Sequence, residues 1–101
     1  MSRREKLEEM LAESPADQFL RYGLANELKK EGEFEQSVVL YRGLMADAPP
    51  HIASFLMAAQ VLESLERIDD AREVLRIGIE EARRQDELHA AGEMGELLAS
   101  F

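Results

Sequence analysis

The chain has no cysteine. That removes disulfides, thiolate nucleophiles and thiolate-ligated metals from its repertoire. Threonine is also absent, and valine and isoleucine form no run longer than Val38-Val39, so little favours strands. Aromatic residues make up only 6% of the chain. Cations are outnumbered, with 12 Lys and Arg against 21 Asp and Glu, for a net charge of −9. Phosphate binding needs clustered cations, so nucleic acid is a poor partner. No long apolar run occurs. The longest uncharged stretch, Ala48 to Leu62, contains two prolines and Gln60 and is far too short to cross a bilayer. The opening Met-Ser-Arg-Arg-Glu is charged and leads into a mixed helix with no apolar secretory segment. The expected setting is the cytoplasm, with no membrane partner.

The residues that are abundant are helix formers: Ala, Leu, Glu, Arg and Met. The 101 residues suit one domain, and an apolar share of 46% is ordinary for a globular protein. An all-α fold is expected. The acid excess gathers in the second half, from Glu63 to Glu87. It reads as a solvated surface, or more sharply as an attraction for a basic partner.

The strongest pattern is a period of 34 residues. Pro15 returns as Pro49, Ala25 as Ala59, Leu28 as Leu62 and Arg42 as Arg76. Glu35 and Asp69, or Leu40 and Val74, keep their character. A fixed period of this size signals a stacked array of one supersecondary unit, and such arrays mostly bind rather than transform.

Six helices are predicted, about Arg3–Glu13, Ala16–Lys30, Glu33–Asp47, His51–Leu65, Asp69–Arg84 and Asp86 to the end. Ser2 and Glu5 have the spacing of a capping box. Gly32 suits a helix stop, and Pro49-Pro50 ends the third helix. The short connections force neighbouring helices antiparallel. Gly23, Gly43, Gly78, Gly92 and Gly95 fall inside helices, each costing up to about 1 kcal/mol relative to Ala. Close helix–helix approach is the expected reason.

Residues 18–51 and 52–85 resemble tetratricopeptide repeats. That pattern asks for a small residue, a large apolar one, a Gly near the turn, an aromatic, further small and apolar places, and a late Pro. The first repeat offers Ala25, Leu28, Gly32, Phe34, Ser37, Tyr41, Leu44 and Pro49. The second offers Phe55, Ala59, Leu62, Ile68, Ala71, Leu75 and Gly78. The departures are Arg21 at an aromatic place, Leu44 at a small one, Glu66 for Gly and Arg83 for Pro. With Arg21 there, Phe19, Leu20 or Tyr22 must do its packing. Without Pro, the second repeat should run more continuously toward the last helix. The resemblance divides the chain into a half repeat over 1–17, two repeats, and a capping helix over 86–101. It implies a right-handed α-superhelix.

The resemblance also implies a concave groove lined by the first helix of each repeat. The groove positions carry over to Phe19, Tyr22, Asn26, Lys29 and Lys30, then to Ala53, Leu56, Gln60, Glu63 and Ser64. Tyr22, Asn26, Lys29, Leu56, Gln60 and Glu63 are the candidates for peptide contact. Some tetratricopeptide proteins clamp a terminal carboxylate with Lys or Arg beside Asn. Only Asn26 matches that set, and Ala90 and Met94 would hold the cationic places in the last helix, so this clamp is rejected.

No catalytic, metal or cofactor constellation emerges. His51 and His89 are far apart, and carboxylate pairs such as Glu80-Glu81 are adjacent and so do not face each other. Met10, Met45, Met57 and Met94 read as gap-fillers of the core. The expected function is a non-enzymatic interaction module that binds a protein or peptide. The alternative is a structural protein whose groove is filled by its own last helix or by a second copy, a possible homo-oligomer.

Overall fold

A capping box starts the first helix. The Ser2 hydroxyl accepts from the Glu5 N–H at 3.1 Å, and the Ser2 N–H donates back to the Glu5 carboxylate at 3.3 Å. This computed structural model describes residues 2–101. Its six helices are α1 Arg3–Glu13, α2 Gln18–Lys30, α3 Phe34–Met45, α4 Ile52–Ser64, α5 Ile68–Arg84 and α6 Leu88–Ala99. Among the described residues there is no strand. Asp17 caps α2 by accepting from the Leu20 N–H at 2.9 Å, so this helix begins two residues later than its apolar pattern alone suggests. Each helix packs on the one before it, and α4 also touches α6. The stack measures 40 × 29 × 18 Å.

Three turns are closed in the same way. The Glu33 N–H donates to the Leu28 carbonyl at 2.8 Å, the Arg67 N–H to Leu62 at 2.8 Å, and the Glu87 N–H to Ala82 at 2.7 Å. Closure of this kind needs one residue in the left-handed region. Gly32 fills it after α2 with φ 81°, Glu66 after α4 with φ 61°, and Asp86 after α5 with φ 60°. The departure from the family pattern at Glu66 is therefore chemical but not geometric. The same bend is made, with a Cβ where glycine avoids the strain.

The core runs through both repeats. Ala25, Tyr41, Leu44, Phe55, Ala59, Leu62, Ala71 and Leu75 are all almost completely buried in one cluster. Burying each large side chain contributes about 1.5–3 kcal/mol before the entropy of ordering it is subtracted. A second, smaller cluster joins α1 to α2 through Leu7, Leu20, Leu24 and Leu28. Of the three substitutes for the aromatic missing at Arg21, Leu20 is the buried one, while Phe19 is 79% exposed. Among the methionines expected to fill gaps, Met94 is buried and Met10 lies 45% exposed.

The last helix sits in a shifted register. Phe55, Ala58, Ala59 and Leu62 turn inward from α4. The matching inward residues of α6 are Ala91, Met94 and Leu98, 36 residues after Phe55, Ala58 and Leu62 rather than 34. The shift has a local cause. With Arg83 in place of proline, α5 runs 17 residues against 12 for α3. The places that sequence spacing assigns to Ala90 and Met94 thus pass to Gly92 and Glu96.

Only one of the five helical glycines is required by crowding. A Cβ on Gly78 would lie 2.6 Å from Phe55 Cβ and 2.6 Å from Met94 Sδ. At Gly23 and Gly43 the nearest atoms are 3.4 Å away, an ordinary contact with Leu7 and with the Arg21 guanidinium. Gly92 and Gly95 meet nothing within 4 Å, so close approach does not explain them.

Two stability predictions follow from this geometry. Gly78→Ala should cost about 1–2 kcal/mol, overlap with Phe55 outweighing the helix-propensity gain, whereas Gly92→Ala should raise stability by up to about 1 kcal/mol. Urea midpoints of the two variants check this, and equal shifts would remove the crowding argument. Glu66→Gly should stabilise by about 0.5–1 kcal/mol by relieving the left-handed strain, a Tm rise of roughly 2–6 °C. A Tm at or below the parent value would contradict it.

Candidate functional site

The first helices of successive repeats, α2 and α4, meet through Lys29, Met57 and Gln60, and α6 touches α4 beyond them. A concavity of about 1000 Å³ opens across their N-terminal halves. Its floor is α4, contributing Ile52, Ala53, Leu56 and Met57. One wall is α6, with Ala90, Glu93 and Met94, and the other is the start of α2, with Gln18 and Arg21. The turn from Asp47 to His51 closes one end. A second hollow of about 360 Å³ continues between α4 and α6, bordered by Leu56, Gln60, Glu93 and Glu96.

The closed end is held by polar contacts. The Arg21 guanidinium donates to Asp47 Oδ2 at 2.8 Å, and the Gln18 amide donates to the same oxygen at 3.2 Å. The Arg21 bond, then that from Gln18, holds the Asp47 carboxyl below its ordinary range. Gln85 donates to the Pro50 carbonyl at 3.0 Å and ties the α5–α6 turn to the α3–α4 turn. His51 Nδ1 lies 2.7 Å from Ser54 Oγ, and its ring sits 4.7 Å from that of Tyr22. Loss of hydration pushes the His51 pKa down. The Asp47 charge opposes that shift and the Arg21 charge adds to it.

The six candidate contact residues fall into three groups. Tyr22 and Asn26 gather on Tyr41 of α3. The Tyr41 hydroxyl donates to Asn26 Oδ1 at 2.5 Å, and the Tyr22 ring meets Tyr41 edge-on at 6.1 Å. Burial raises the Tyr41 pKa, so its phenol stays a donor. Lys29 and Gln60 meet each other, the ammonium donating to Gln60 Oε1 at 2.5 Å and lying 3.4 Å from Met57 Sδ. Burial lowers the Lys29 pKa. Leu56 borders both hollows, while Glu63 is exposed further along α4. Sequence spacing did not single out His51, Gln18 and Asp47 for the groove, because they come from helix ends and turns outside the helical stripe. A repeat-by-repeat comparison of turns would have been the signal for them.

His51 and Ser54 have the spacing of a base and a hydroxyl. Ser54, however, is fully buried under the first turn of α4, where no substrate carbonyl can reach it. His89 is exposed and lies 3.5 Å from Glu93, one turn away on the same helix. Among the described residues, no three His, Asp or Glu side chains converge as a metal site, and no helix is long and apolar enough to cross a membrane.

The depressed His51 pKa makes a prediction about pH. The folded state binds this proton less readily than the unfolded chain, so the stability it contributes is complete above about pH 6.5. That contribution falls as the pH drops below this value and through the folded pKa. Urea midpoints between pH 7.5 and 5.5 should decline for the parent and decline less for His51→Asn. Parallel declines would show that His51 is not the titrating group.

No protein-family model and no curated protein sequence matches the chain. Among solved structures it is similar to the solution NMR structure of a tetratricopeptide repeat domain protein from Salinibacter ruber. The two share 28% identity over 85% of this chain and 87% of that one, with a TM-score of 0.79. Six antiparallel helices, turns repeated at 34 residues and this similarity together establish a tetratricopeptide-like all-α helical repeat, a fold that generally serves protein interaction.

Proposed function

We propose that the chain is a non-enzymatic interaction module whose groove receives a peptide or helix of a partner protein. The observation that carries this reading is the open concavity across α2, α4 and α6, with an apolar floor and a polar rim. Binding sites on proteins combine these two features, apolar area for affinity and a few placed polar groups for orientation. The last helix forms one wall of the concavity and leaves it open, which favours an external ligand over a groove filled by α6.

Each candidate residue then has a role. Leu56 is the apolar anchor point. Tyr22, Asn26, Lys29 and Gln60 brace α2, α3 and α4 against one another through the contacts above, so little ordering is required when a ligand arrives. Glu63 lies at the far end of α4. No cofactor or metal is needed, and the net charge of −9 disfavours nucleic acid.

Photo-crosslinking offers a direct check. A benzoylphenylalanine at Ala53, on the groove floor, should give an adduct with a partner protein, and one at Glu35 on the exposed side of α3 should not. Adding Leu56→Arg should weaken that adduct by about 2 kcal/mol, roughly thirtyfold in affinity, with the helical circular dichroism unchanged. Equal adducts from both positions, insensitive to Leu56→Arg, would sink the groove reading.

A further inference from the structure

The two hollows form one channel, because Leu56 and Glu93 border both. The channel has an asymmetric charge. Its α4 floor is apolar through Ile52, Ala53, Leu56 and Met57. Its α6 side carries Glu87 and Glu93 on the first hollow and Glu93 and Glu96 on the second. From Gln85 to Phe101 the chain contains no Lys or Arg. Two cations of α2 lie close to the channel, and each is already hydrogen-bonded. Arg21 is paired with Asp47 at 2.8 Å, and Lys29 is bound to Gln60 at 2.5 Å. The Arg21 pair also neutralises Asp47, and Lys29 keeps its charge on the α2 side against the neutral Gln60 and Met57, so the three carboxylates of Glu87, Glu93 and Glu96 leave the α6 side of the channel negative.

We infer that the channel takes a basic peptide with an apolar anchor: one large apolar side chain over Leu56, flanked by Lys or Arg directed at Glu93 and Glu96. This rests on the groove reading above and specifies its ligand. Glu93 and Glu96 are three residues apart on one helix, so their side chains are neighbours about 5–6 Å apart at Cβ. Cations one or two residues apart on an extended peptide match that spacing. The apolar floor supplies affinity, and the acidic wall supplies selection and encounter rate. An acidic peptide would meet like charges on this wall, and Arg21, the cation that lines the two hollows, is already paired with Asp47.

The test uses the full chain and a phage-displayed library of random dodecapeptides. Enriched peptides should carry a Leu, Ile, Phe or Met flanked by Lys or Arg, with few acids. Binding of an enriched peptide, followed by fluorescence anisotropy, should fall roughly threefold for Glu93→Gln or Glu96→Gln and about tenfold for both together. It should also weaken as salt is raised. The control is Asp69→Asn with Asp70→Asn, the same change of charge at the start of α5, which should leave affinity unchanged. An equal loss in that control would mean diffuse attraction to an acidic protein and would overturn the proposal. So would enrichment of neutral or acidic peptides. If such peptides still lose binding with Leu56→Arg, the groove reading survives and only the basic ligand fails. If the enriched peptides ignore Leu56→Arg, the groove reading fails with it.

Discussion

The architecture hangs on one backbone hydrogen bond, made three times. An amide just past α2, α4 and α5 returns to a carbonyl in the last turn, from Glu33 to Leu28, Arg67 to Leu62 and Glu87 to Ala82. The bond reverses the chain within three residues and fixes how the next helix descends. Antiparallel packing of α2 on α3, α4 on α5 and α5 on α6 follows from it, while the alignment of α2 beside α4 also needs the α3–α4 turn, where the His51 N–H donates to the Leu44 carbonyl at 3.0 Å. The contacts between those helices, Lys29 with Gln60 and Tyr22 with His51, need that alignment to within the length of a hydrogen bond. The groove is therefore a consequence of the turns before it is a property of its lining. The cost is carried by a left-handed residue at each turn, and only one of the three is glycine.

The change from a 34-residue step to a 36-residue step shapes the end of the groove. In the first repeat, α3 has 12 residues and stops before Pro49. In the second, the corresponding place holds Arg83, and α5 continues to Arg84. The turn after α5 is correspondingly shorter, and Gln85 within it reaches the Pro50 carbonyl. Two turns that belong to different repeats are thereby joined, and they close the concavity at the end where Asp47 and His51 lie. A proline in the second repeat would have ended α5 earlier and taken that amide away.

The helices and their order were legible in the sequence because they rest on short-range signals. Apolar spacing, the Ser2–Glu5 box, Gly32 and Pro49-Pro50 each act within a few residues. The 34-residue period added the architecture, since it ties distant positions to one geometry. What failed to show was anything set by three-dimensional neighbours. The five helical glycines look alike in sequence, yet only Gly78 lies against another helix closely enough to need its missing Cβ. The register of α6 was misplaced by two residues, because the extra length of α5 replaces an absent proline and leaves no mark in the apolar stripe. The floor residue Leu56 could be found from the repeat, whereas His51 and Gln18 could not, since helix ends carry no periodic signature.

The polar residues divide by whether they have a helix on both sides. Asn26 and Lys29 on α2 have partners within reach, and partial burial makes an unpaired polar group costly. Asn26 accordingly binds Tyr41, and Lys29 binds Gln60. Residues that recognise a ligand in another repeat protein of this kind can thus become internal braces here without any change of residue type. On α6 the neighbouring first helix lies on one side only among the described residues. Glu93 and Glu96 keep their carboxylates at the channel's edge, with only the exposed His89 close by. In the proposed groove, the charges open to a ligand therefore lie on the flank of α6 rather than at the conventional polar positions of α2 and α4. Ligand choice in this proposed groove is set less by the repeat consensus than by which charges the stack leaves without a partner.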